Sequence, residues 1–167
     1  MSPADISGET CNLHLRGEIS AIEAYTRAME AFSESASIRI MEKIRSAHHR
    51  NADALRKGVI SAGARPALRP GLWLVLLRRF ESSVSWLGET ATLRLLQWSE
   101  ELQWKAYHHT LRADNAPTVT KLLIQDELIP TITDNIIALH QHRDRTHVRE
   151  QRHLRWRSPA NDDSDSE

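Results

Sequence analysis

The sequence predicts an all-α protein, a four-helix bundle of two antiparallel hairpins joined by a long crossover that contains a short helix. Apolar residues recur at steps of three and four over most of the chain, the spacing of one face of an α-helix. Glycine and proline number only six each and gather at a few breaks, which leaves long uninterrupted stretches free to be helical. At 167 residues the chain is long enough for one core of ordinary size and short for two.

The first helix is expected over Asp5 to Phe32, with Leu15, Ile19, Ile22, Tyr25, Met29 and Phe32 inward. Ser33, Ser35 and Ser37 form a polar break whose hydroxyls can cap a second helix, inward at Ile38, Met41, Ile44, His48, Ala52, Leu55 and Val59. So short a turn makes the two helices antiparallel neighbours. Gly63, Pro66, Pro70 and Gly71 then punctuate the chain. Leu72 to Trp86 reads as a short apolar helix with a basic interruption, and places a crossover at about 63–88. A third helix runs from Leu87 to Leu111, through Leu93, Leu96, Glu100, Trp104 and Tyr107. Asp114-Asn115-Ala116-Pro117 stops it and starts the fourth, from about Thr118 to at least His140. That helix is read with Leu122, Gln125, Leu128, Ile129, Ile132, Ile136 and Leu139 inward, kinked at Pro130 because the ring removes a hydrogen bond.

The bundle is thus assigned to 1–142, an Arg/His-rich extension to 143–157, and a disordered, acidic, serine-rich tail to 158–167. Lys plus Arg equals Asp plus Glu at 22 each, so no global field draws nucleic acid or an anionic membrane from a distance. The lone cysteine, Cys11, excludes an intramolecular disulfide and fits a reducing compartment. Met1 to Thr10 has neither a basic start nor an apolar core, against a signal peptide, and the longest apolar run, Gly71 to Leu77, is too short to span a bilayer. A cytoplasmic location is expected, with no transmembrane segment.

One feature repeats. Glu18 precedes Ala24-Tyr25 by the same spacing with which Glu100 precedes Ala106-Tyr107. Seven residues is close to two helical turns, so each glutamate shares a stripe with its tyrosine. A carboxylate on an inward stripe is costly unless a cation, a metal or a hydrogen-bond donor meets it.

The Glu18-x-x-Ala21-x-x-x-Tyr25 string resembles the first metal-ligand helix of rubrerythrin-type ferritin-like proteins. More broadly, residues from about Leu13 to Leu139 resemble a bacterial domain-of-unknown-function family of the ferritin-like superfamily. The matching stretches are His48 to Arg56, Gly88 to Leu93, Glu100 to Tyr107, and Leu128-Ile129-Pro130. The resemblance implies two antiparallel hairpins around a long crossover, and superfamily relatives suggest a stress-related role. It also implies metal ligands, since ferritin-like di-iron proteins draw one glutamate from each of two helices and a Glu-x-x-His pair from each of the others. Here Arg45 stands three before His48, Ser46 three before His49, and helix four offers Asp134 and Asn135 without a histidine, so a full di-iron site is not expected.

Two readings of these residues follow. In the first, Glu18 and Glu100 are buried carboxylates paired with Arg45, His48 or a tyrosine hydroxyl, and the protein is a non-enzymatic bundle acting by self-association or partner binding. In the second, Glu18, His48 and Glu100 hold a single Fe, Zn or Mn ion, supported by Tyr25, Arg45, His49, Tyr107 and Asp134, in a metal-binding or oxidase-like protein. No nucleophile-base constellation, Gly-rich phosphate loop or Cys-His zinc motif is present, so no catalytic residue is named.

His108-His109 and the His140/His142 pair point in divergent directions on a helix and read as solvated. Trp73, Trp86, Trp98 and Trp104 read as packing residues. The apolar run Leu72 to Leu77 with Trp73 exceeds what a short crossover needs, which predicts a homo-oligomer, a dimer first. Arg143, Arg145, Arg149, Arg152 and Arg155 form a candidate surface for nucleic acid or anionic lipid, a weaker expectation because no reading module accompanies them.

Overall fold

The computed structural model describes residues 2–30, 32–71 and 81–157, with 81–88 and 149–157 described by their helical backbone. The described residues are helical with no strand. Helix α1 spans Pro3–Glu30, α2 Ser35–Ser61 and α3 Glu81–Arg112. A fourth rod is continuous: α4, Thr118–Leu123, runs through a π-helical turn, Ile124–Leu128, into α5, Ile129–Arg157. Helix α1 packs chiefly on α2, and α3 chiefly on α5. No described helix is long and apolar enough to cross a membrane.

The helix boundaries follow local chemistry. Helix α2 ends at Ala62, whose N–H bonds Gly58 O, and Gly63 follows at φ +74°, a left-handed conformation that glycine adopts without strain. Helix α3 ends before the Asp114 to Pro117 break, and Pro117 sits where its missing N–H costs nothing. At the start of α2 none of the three serines caps the helix: Glu34 occupies the cap position, and its side chain does not bond the first-turn N–H groups. The Ser37 hydroxyl oxygen instead lies 2.8 Å from His142 Nε2, with Glu34 Oε2 at 3.5 Å. The backbone from Glu81 to Trp86 belongs to α3, so the third helix starts earlier than the apolar pattern indicates; residues 72–80 of the expected crossover and the tail 158–167 lie outside the described residues.

The inward stripes differ from the expected ones in two places. On α1 the buried positions are Ser7, Gly8, Cys11, His14, Leu15, Glu18, Ser20, Ala21, Tyr25 and Ala28, while Ile19, Ile22 and Met29 sit at the margin. At Cys11 the stripe meets α2 closely, since a Cβ on Gly58 would stand 3.1 Å from the Cys11 Sγ. In the fourth rod, Thr120, Ile124, Leu128, Ile132, Asn135 and Leu139 are buried, whereas Leu122 and Gln125 are exposed. The expected kink at Pro130 takes the form of the π-helical turn just before it. A proline ring presses on the carbonyl four residues back, here Asp126, and widening that turn by one residue relieves the clash. The widened turn also rotates the stripe relative to a regular helix, which is why extrapolation from Leu122 and Gln125 fails.

Two apolar clusters make the core. One joins Cys11, Leu15, Leu55, Val59, Tyr107, Ile124, Leu128 and Ile132; the other joins Tyr25, Phe32, Met41, Ile44, Leu93, Leu96 and Leu139. On every long helix a polar residue separates the members of one cluster from those of the other: Glu18 on α1, His48 and Asn51 on α2, Glu100 on α3, Asn135 on α5. All five are at least 95% buried. The core is therefore two apolar blocks with a polar layer between them.

Candidate functional site

The layer is built around His48. Its Nδ1–H donates to Glu18 Oε2 at 2.6 Å and its Nε2–H donates to Glu100 Oε1 at 2.9 Å. A ring that meets a carboxylate at each nitrogen must carry a proton on both, so His48 is an imidazolium. Burial alone pulls its pKa down, but the charges of Glu100 and Glu18 and their hydrogen bonds outweigh that, and hold it up at about 10.

The remaining lone pairs are taken up by donors from all four helices. Glu18 Oε1 accepts from Tyr107 Oη, from Gln103 Nε2 at 2.6 Å and from Asn51 Nδ2 at 3.3 Å. Glu100 Oε1 also accepts from Tyr25 Oη at 2.9 Å, and its Oε2 accepts from Asn135 Nδ2 at 3.2 Å. Gln103 spends its second amide hydrogen on Tyr107 Oη at 2.9 Å. Both tyrosines are fully buried, and burial first, then the adjacent carboxylate, raises their pKa well above the usual phenol value. They therefore remain donors.

The tyrosines are exchanged between the repeats. Tyr25, on the helix of Glu18, serves Glu100; Tyr107, on the helix of Glu100, serves Glu18. With Asn51 and Asn135 as the matching amides, the layer has an approximate two-fold pattern, broken by Gln103, whose counterpart on α1 is Ala21, and by His48. Its counterpart, three residues before Asn135, is the buried Ile132.

Glu18, His48, Glu100, Tyr25 and Tyr107 are thus brought together. Arg45, His49 and Asp134 are not. Arg45 donates to Thr26 Oγ1 at 3.3 Å, and His49 and Asp134 are exposed, the latter because the stripe of α5 runs through Asn135. Asn51, Gln103 and Asn135 complete the layer and carry no sequence signal of their own, since amides fit a helix surface equally well.

Three other histidines depart from the solvated reading or were unmarked by it. His142 is buried against Ser37. His108 is half-buried, with its ring centroid 3.9 Å from that of Trp104. His14, one turn before Glu18, lies 4.8 Å from the Tyr107 ring. The Thr110 hydroxyl donates to Ala106 O at 3.3 Å, which leaves its oxygen to accept from His14 Nε2–H at 2.9 Å. Burial lowers the His14 pKa to about 4, so it is neutral. Among the tryptophans, Trp98 is 46% exposed, Trp73 lies outside the described residues, and only the backbone of Trp86 is described.

As a metal centre the donor set does not fit. A ligating histidine offers an unprotonated nitrogen, and both nitrogens of His48 carry protons directed at the carboxylates that would be its fellow ligands. Among the described residues no three His, Cys, Asp or Glu side chains stand where they can share one ion. The imidazolium occupies the place between the glutamates that a cation would take. Comparison with protein-family models, with curated proteins and with solved structures gives no match to this chain.

Proposed function

We propose that the chain is a ferritin-like four-helix bundle, two antiparallel hairpins linked by a crossover at about 63–88, that acts through its surface, by self-association or partner binding, and not by chemistry at its buried layer. The observation that carries this reading is His48, an internal cation holding Glu18 and Glu100 together from within. In ferritin-like di-metal proteins the second and fourth helices supply Glu-x-x-His pairs at i and i+3. The inward pairs at that spacing here are His48/Asn51 on α2 and Ile132/Asn135 on α5, of which no member is a carboxylate. This pattern supports a ferritin-like layer in which organic hydrogen bonding has replaced metal.

The satisfied state of the layer gives the same answer from energetics. A buried charge left unpaired costs several kcal/mol, whereas each carboxylate here has at least three donors. Opening a ligand position would forfeit one of those bonds. Elemental analysis after incubation with Fe(II), Zn(II) or Mn(II), on protein purified without a metal-affinity tag, tests the reading. No stoichiometric metal is expected in the wild type or in Glu18→Ala/Glu100→Ala. Stoichiometric metal in the wild type that disappears in the double variant would overturn it. Light scattering across a concentration series separates self-association, with a dimer expected, from binding to a different partner.

A further inference from the structure

A second concentration of charge lies away from the buried layer, where the start of α2 meets the later part of α5. A cavity of about 580 Å³ there is lined by Arg39 and Lys43 of α2 and by Arg145 of α5, with Glu34 as its one acidic side chain and His142 among its walls. Arg39 and Lys43 are four apart and therefore share a face of α2. All three cations are exposed, and none is paired with a described residue.

The neighbouring charges behave differently. Arg143, two residues before Arg145, is committed to Gln97 Oε1 at 2.6 Å and to Asp144 Oδ1 at 3.2 Å. The cavity between Arg50, Asp53, Lys57 and Glu127 balances two cations with two carboxylates. In a chain with equal numbers of acidic and basic residues, three cations against one carboxylate around a single cavity is a local excess of two positive charges. Buried His142, held by Ser37 at 2.8 Å, gives the cavity a fixed wall that ties α5 to α2.

A guanidinium presents paired N–H donors that match the oxygens of a phosphoryl group, and an ammonium adds a point charge. A cavity of this size suits a compact anion better than a nucleic acid duplex, which needs an extended basic face. We propose that the cleft between α2 and α5 binds a phosphoryl group, carried by a small phosphorylated molecule or by a lipid headgroup, with Arg39 and Arg145 as forked donors and Lys43 as the third charge. This moves the anion site from the Arg143 to Arg155 stretch alone to a cleft shared by two helices, and leaves Arg143 out of it.

Calorimetric titration of the full chain with pyrophosphate, with co-sedimentation on phosphatidylcholine vesicles with and without phosphatidic acid, tests the proposal. Saturable pyrophosphate binding is expected, weakened about tenfold or more in Arg39→Gln/Arg145→Gln because each lost charge-assisted bond removes roughly that factor, and unchanged in Arg50→Gln. Binding should also weaken with added salt. Vesicle binding that requires phosphatidic acid and is displaced by pyrophosphate assigns the headgroup; pyrophosphate binding without vesicle binding assigns a soluble phosphorylated compound. Absence of both, equal loss in Arg50→Gln, or full binding by Arg39→Gln/Arg145→Gln with its helical circular dichroism intact would overturn the proposal.

Discussion

Tyr25 gives its hydroxyl proton to Glu100, 2.9 Å away on α3, and not to Glu18, two turns before it on its own helix. A residue two turns along a helix shares the stripe but sits about 10 Å up the axis, beyond hydrogen-bond reach. The antiparallel partner brings the opposite glutamate to the right height. The repeated Glu-to-Tyr spacing therefore produces two bonds between helices and none within one, and it clamps α1 to α3 at two levels. His48 then joins the two clamps from α2.

The donors are unevenly shared, and stability should follow that distribution. With Tyr25 replaced by Phe, Glu100 keeps His48 and Asn135; with Tyr107 replaced by Phe, Glu18 keeps His48, Gln103 and Asn51. Tyr25→Phe should cost about 1–3 kcal/mol in urea denaturation, the penalty for an under-satisfied buried group, and Tyr107→Phe should cost less. The reverse order would show that donor number does not govern the layer.

Stability should peak near pH 6.5 in respect of two histidines that shift in opposite directions. His48 titrates at about 10 in the folded protein against 6.5 when exposed, so the folded state binds the extra proton between those values. Its contribution is complete below about pH 6.5 and is lost as pH rises through about 10. His14 titrates at about 4, so between about 4 and 6.5 it is the unfolded chain that binds more protons. Its contribution is present above 6.5 and is lost as pH falls through that window. Thermal denaturation across pH should show both limbs. His14→Gln, which keeps a donor for Thr110, should flatten the acid limb between pH 6.5 and 4 while leaving the alkaline limb in place; an unchanged acid limb would exclude His14 as its source.

The π-helical turn accounts for the main difference between what the sequence displays and what the fold does. Glu18, His48 and Glu100 are legible because charged groups on apolar stripes are rare, and the stripes of α2 and α3 continue unbroken through them. Asn135 is overlooked for a different reason: it lies between Ile132 and Leu139 on the buried stripe, but Asp134 beside it looks the better partner for a metal. On α1 the apolar residues Ile19 and Ile22 mark a stripe one position off the real one, since Cys11, His14 and Ala21 carry too little hydrophobic signal to reveal a close helix contact. His142 is equally hidden, because its partner Ser37 lies on another helix, 105 residues away.

If the π-helical turn is one residue inserted into an α-helix, removing that residue should leave both flanks in place. Deletion of exposed Gln125, combined with Pro130→Ala so that the regular helix has its N–H and no ring clash, should keep the fold within about 1 kcal/mol of wild type. Deletion of exposed Asp134 from the regular part of α5 should instead rotate one flank by about 100° and take either Ile132 or Asn135 out of the core. Urea denaturation of the two deletions checks this. Comparable loss in both would show that the widened turn is itself required.

Helix α1 meets the segment after α2 at Gly8 with no room for a side chain. A Cβ built there would stand 2.8 Å from the Ala64 Cβ, closer than two methyl carbons approach, and Ala64 has no flexible end to move aside. In an ordinary helix interior Gly→Ala gains about 1 kcal/mol of helix propensity. Overpacking a rigid contact costs about 1–3 kcal/mol, so the net effect of Gly8→Ala should be a modest loss of stability despite the better helix former. Adding Ala64→Gly removes the opposing methyl and should restore stability, because residue 64 lies beyond the end of α2 and loses no helix propensity. A stabilised Gly8→Ala variant would mean that this corner yields readily, by a shift of the segment that carries Ala64.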